Sequence, residues 1–61
     1  MDQDTKATIS KIQQAIWKLK ETYSLLNGIA GMEEYLNTID NTIKNLDMEL
    51  DEIWLLERDR I

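Results

Sequence analysis

The chain of 61 residues contains no cysteine, no histidine, no proline and no phenylalanine, and only two glycines. Each absence removes a class of chemistry or architecture. Without cysteine there is no disulfide framework, no thiolate metal site and no thiol nucleophile. The lack of histidine takes away the commonest general base and the commonest metal ligand, so the Glu-x-x-His signature of carboxylate-bridged metals in four-helix bundles cannot be written. Ser10 and Ser24 have no base at helical spacing to activate them. The sequence therefore reads as non-enzymatic, with no catalytic residue, no cofactor and no metal expected. The absence of proline agrees with long uninterrupted helices. Long apolar runs are missing too: the longest block is Ile53-Trp54-Leu55-Leu56, far short of a bilayer span. No apolar stretch of signal-peptide length follows the acidic start Met1-Asp2-Gln3-Asp4. The expectation is a soluble, cytoplasmic or otherwise intracellular protein with no membrane partner.

What is present is 43% hydrophobic and 31% charged residues, well away from the composition of a disordered chain. Net charge is −5, with a pI near 4.4, which argues against attracting nucleic acid or anionic lipid. The charge is unevenly placed. Residues 1–27 carry four lysines against Asp2, Asp4 and Glu21, a sum of +1; residues 28–61 carry three basic and nine acidic side chains, a sum of −6. The first half attracts the second.

Apolar residues in the first half fall at Ile9, Ile12, Ile16, Leu19, Tyr23 and Leu26, alternating steps of three and four, the seam of an amphipathic helix. The same alternation runs through Met32, Leu36, Ile39, Ile43, Leu46, Leu50 and Ile53. The two frames are out of phase, and the break falls at Asn27-Gly28-Ile29-Ala30-Gly31, which holds both glycines. Asn-Gly suits a left-handed helix end, and Gly31 before Met32-Glu33-Glu34 suits a new helix start with carboxylates at the positive end of its dipole. A single helical-hairpin domain over 1–61 follows, with helix 1 at about 4–27, a turn at about 28–31 and helix 2 at about 32–59.

Folding helix 1 back on helix 2 pairs Ile9 with Ile53, Ile12 with Leu50, Ile16 with Leu46, Leu19 with Ile43, Tyr23 with Ile39 and Leu26 with Leu36; every pair of indices sums to 62. A chain this short buries a small fraction of its surface, and one neighbouring helix covers only part of each seam. Ala15 and Ile29 beside the first seam, and Tyr35, Trp54 and Leu56 beside the second, widen the stripes as bundle helices require. The expected fold is all-α: an antiparallel hairpin self-associating into a four-helix bundle, a homo-oligomer with the dimer favoured and those twelve paired residues as its seam. The alternative is a long parallel coiled coil, roughly 90 Å at about 1.5 Å per residue, with a phase break at Gly28–Gly31.

Several clusters invite a functional reading. Asp47 and Asp51, with Glu49 and Glu52 close by, offer carboxylates at helical spacing, but hard cations need more oxygens than one helix face supplies. Asn37, Asn41 and Asn45 form a polar row outside the seam, while Lys11, Lys18 and Trp17 are the residues an RNA-binding reading would use. The turn at Ile53–Leu56 is apolar nearly all round, and Leu55 lies one heptad after Met48 on the side away from the seam. Trp17, Met48, Trp54, Leu55 and Leu56 are accordingly the candidate patch for another protein, with Trp54 as an aromatic anchor. The functional expectation is a protein–protein interaction or assembly module. Its alternative is a small acidic inhibitor whose helix 2 carboxylates mimic nucleic acid or block a nucleic-acid-binding protein.

Overall fold

A computed structural model describes residues 2–59, with the backbone alone at Asp59. Met1, Arg60 and Ile61 of the expected 1–61 domain lie outside the described residues. The fold is two helices, α1 (Gln3–Leu26) and α2 (Glu33–Asp59), which pack along one another as a hairpin. Its Cα extents are 49 × 16 × 10 Å, about half the length of a continuous rod at ~1.5 Å per residue. The continuous-helix alternative is not the conformation adopted.

The start of α1 is fixed by Asp2. Its backbone is extended at φ −78 and ψ 171, and its Oδ1 accepts from the Thr5 N–H at 2.7 Å, satisfying a donor that the first helical turn leaves open. Asp4 adds a carboxylate at the positive end of the dipole. The Met32 carbonyl opens α2 by accepting from the Leu36 N–H at 2.9 Å, and Glu33 and Glu34 fill its first turn.

Between them the chain reverses through two consecutive tight turns. Asn27 is extended at φ −64 and ψ 128, Gly28 follows at φ 95, and the Ile29 N–H donates to the Leu26 carbonyl at 3.1 Å. Those are the marks of a type II turn, whose third residue needs a positive φ. The pattern repeats at once: Gly31 has φ 89 and the Met32 N–H donates to the Ile29 carbonyl at 3.3 Å. Both glycines thus hold the third position of a turn. The expected left-handed conformation occurs at Gly28, but as part of tandem turns, while Asn27 itself stays extended.

Along the packed faces Ile9 and Ile16 are buried, at 6% and 7% exposure. Ile12, Leu19, Tyr23 and Leu26 of α1 are half-buried, as are Met32 at the turn and Leu36, Ile39, Ile43, Leu46, Leu50 and Ile53 of α2. Among the described residues no other apolar side chain except Ala15 is even half-buried. The period of three and four therefore coincides with the side each helix turns to its neighbour.

Nothing lies within 4 Å of a Cβ built on Gly28 or Gly31, so a substitution there meets only the backbone preference against positive φ. Gly28→Ala and Gly31→Ala should each destabilise the fold by about 1 kcal/mol or more. Denaturant unfolding at fixed protein concentration measures this, and a gain in stability would count against both turns.

Candidate functional site

Among the described residues the only buried side chains are those of Ile9 and Ile16, so the polar and charged groups lie on the surface. The sides of the hairpin can be assigned from its open end. There Asp4, Thr5 and Thr8 of α1 line a shallow groove with Ile53, Leu56 and Glu57 of α2. Thr5 and Glu57 are both half-buried. They continue the seams by one step of four at either end, and their indices also sum to 62. This polar layer closes the open end; apolar periodicity alone misses it, although continuing the spacing finds it.

Thr8 and Leu56 thus lie on the same broad face. Residues a heptad apart stay on one side of a helix, drifting only about 20°. Thr8, Ala15 and Thr22 of α1, with Tyr35, Thr42, Glu49 and Leu56 of α2, consequently share that face. Glu49 is the one charged group among these seven. The threonines are quieter than their hydroxyls suggest. Thr8 Oγ1 donates to the Asp4 carbonyl at 3.0 Å, Thr22 Oγ1 to Lys18 at 2.9 Å and Thr42 Oγ1 to Thr38 at 2.9 Å. A hydroxyl already bonded one turn back can be covered without losing its partner, leaving the methyl group to pack.

The opposite broad face follows from the other flank of each seam. It carries Lys6, Gln13 and Lys20 on α1 and Glu33, Asp40, Asp47 and Trp54 on α2. This face sets lysines across from carboxylates. Its visible ion pair, Lys44 Nζ to Asp40 Oδ2 at 3.0 Å, spans i,i+4 within α2, with side chains 69% and 50% exposed. Screened by water, it contributes little to stability.

The backs of the helices form a third region. On α1, Trp17, Lys20, Glu21, Ser24 and Leu25 line an open depression, with Trp17 66% and Leu25 77% exposed. Leu25 was not singled out by the seam; it lies two turns after Trp17 and one heptad after Lys18. On α2, Met48 and Leu55 are 60% and 54% exposed. Trp54 and Leu56 are exposed as well, at 51% and 66%. The five candidate residues are distributed over separate surfaces: Trp17 belongs to the α1 depression, Trp54 to the face of lysines and carboxylates, Leu56 to the groove beside Thr8, and Met48 with Leu55 to the back of α2.

Asp47, Glu49, Asp51 and Glu52 are all exposed along α2. Among the described residues no group of three or more His, Cys, Asp or Glu gathers where it could hold a metal ion. Nor is any described helix long and apolar enough to cross a membrane. No family model, curated protein or solved structure matches this chain, so its surface is read from chemistry alone.

Ile16 and its exposed neighbour Trp17 separate the two environments. Ile16→Asp places an unpaired carboxylate in the packed layer and should destabilise by about 3–5 kcal/mol, enough to abolish the helical circular dichroism of so small a fold. Trp17→Asp should retain it. Retention by both would remove Ile16 from the core.

Proposed function

We propose that this chain is a non-enzymatic assembly module, a helical hairpin that binds protein and first of all a second copy of itself, closing a four-helix bundle. The observation that carries this reading is surface area. The hairpin exposes 5082 Å², whereas a compact folded chain of 7.2 kDa is expected to expose about 4,100 Å². The excess, on the order of 1,000 Å², is close to the ~800 Å² that each partner contributes to a standard protein interface. Among the described residues only Ile9 and Ile16 are buried, and the ten other seam residues remain half-open to water. Covering them supplies the apolar burial that a 61-residue chain with no cysteine otherwise lacks.

In this reading folding and association are linked. Raising the protein concentration tenfold should shift the thermal midpoint upward by mass action, and sedimentation equilibrium should give a dimer mass. A melt independent of concentration, together with a monomer mass, overturns the proposal.

Met48 and Leu55 face away from the seam and remain outside the bundle, open to a different protein. Leu55→Lys should therefore leave helicity and oligomer mass unchanged. Dissociation of the oligomer by that substitution would instead place Leu55 inside it.

A further inference from the structure

We infer that the second copy docks on the Thr8–Ala15–Thr22 face, its turn at the same end, so that each α1 lies against the other copy's α2. The inference rests on the self-association proposed above and adds the surface and the orientation.

Two broad faces flank the seam, and they differ in what docking would strip of water. On one, Lys6, Lys20, Glu33, Asp40 and Asp47 would all be desolvated, against a single large apolar group, Trp54. On the other, Glu49 is the single charge, Thr8, Thr22 and Thr42 have hydroxyls already bonded to their own helix, Ala15 is small enough for close approach, and Tyr35 and Leu56 stand exposed at the two ends at 63% and 66%. Burying charge without excellent pairing is costly, whereas burying methyl groups and rings is favourable. The second face is the one that can cover the half-open seam.

Charge then selects the orientation. A two-fold axis parallel to the helices keeps both turns at one end and sets α1 beside the second copy's α2. An axis perpendicular to the helices sets α1 against α1 and α2 against α2, bringing together two halves that each carry −6. The residues bordering the docking face follow the first arrangement. Lys11 and Lys18 edge α1, Glu52 edges α2 with Glu49 beside it on the face itself, and all four are exposed with no ion pair within the described hairpin. With the index sum of 62, Lys11 comes level with position 51 of the second copy, between its Glu49 and Glu52. Tyr35 comes level with Asn27 of the second copy, and Leu56 falls between its Thr5 and Thr8.

The absence of cysteine makes the test direct. A single spin label at Ala30→Cys, on the exposed turn, reports the distance between turns in the intact oligomer. Turns at one end should lie about one helix spacing apart, ~10 Å between backbones and on the order of 20 Å between label heads, while turns at opposite ends should give a separation near the hairpin's 49 Å length. A long distance with a dimer mass overturns this inference and leaves self-association standing. A monomer mass overturns both. Two arginine variants locate the face: Ala15→Arg should weaken association at least tenfold, while Gln13→Arg on the opposite side should leave it within twofold. The reverse ranking would move the interface to the charged face and also defeat the inference. Lys11→Glu should weaken association severalfold at low salt, and adding Glu49→Lys with Glu52→Lys should restore it. Failure of the double reversal to restore it would argue against the proposed pairing of helices.

Discussion

Two helices can cover an apolar stripe from one side only, and this geometric constraint governs the rest of the molecule. A stripe of three residues in seven spans more than the contact one neighbouring helix provides. Ile9 and Ile16 are buried, while every other seam side chain stays half in water. The interior is satisfied as far as it goes: among the described residues no buried side-chain polar atom lacks a hydrogen bond. What is missing is apolar burial, and nothing within the hairpin can add to it. The tandem glycine turns fix which residues face each other, so the chain cannot slide to cover more of itself. Additional burial has to come from a second surface.

The two flanks of the seam handle water in different ways. One keeps charges that prefer solvent, with lysines of α1 set across from carboxylates of α2. The other replaces charge by threonine hydroxyls turned back onto carbonyls of their own helix. Such bonds slightly weaken a helix and would be an odd choice for an exposed position of ordinary purpose, where alanine or glutamate has better propensity. On a face that alternates between water and a protein neighbour they are well suited, since the hydroxyl has a partner in both states. Thr38, whose Oγ1 donates to the Glu34 carbonyl at 3.0 Å, shows that the same bond also forms away from the centre of this face. The back-bonds therefore matter to docking only where they sit between the apolar end groups Tyr35 and Leu56.

The all-α hairpin was legible in the sequence because its signals are local and periodic. A three-and-four spacing from Ile9 to Leu26 and from Met32 to Ile53 marks the packed side of each helix, and two glycines in a chain otherwise free of them mark the reversal. Turn chemistry was harder to read. Asn27-Gly28 supports a helix-end conformation or a type II turn equally well, and the choice depends on a hydrogen bond from Ile29 that composition does not reveal. The Thr5 and Glu57 layer escaped a search for apolar residues since its members are polar. Which flank of α1 shares a face with which flank of α2 follows once two right-handed helices pack antiparallel through their seams, and the groove lined by Thr8 and Leu56 agrees with it. The scatter of Trp17, Leu55 and Leu56 over separate surfaces has the same origin.

The uneven charge of the chain carries an argument about specificity. A net charge of −5 could be spread evenly with equal benefit to solubility, yet the first 27 residues sum to +1 and the remainder to −6. Within a hairpin this division helps the two helices lie together and opposes any partner that would set α2 against α2. The second effect matters more in the proposed bundle, because a symmetric apolar stripe is nearly indifferent to direction: its leucines and isoleucines pack about as well with turns together as with turns apart. Discrimination between such arrangements generally comes from placing like charges where the unwanted one would bring them close. Lys11 and Lys18 on one border of the small-residue face, with Glu52 on the other and Glu49 beside it as the face's single charge, stand where they can impose that choice while few charges are desolvated. The seam then supplies adhesion and the borders supply direction, which is how a chain with so few chemical groups could still select one assembly.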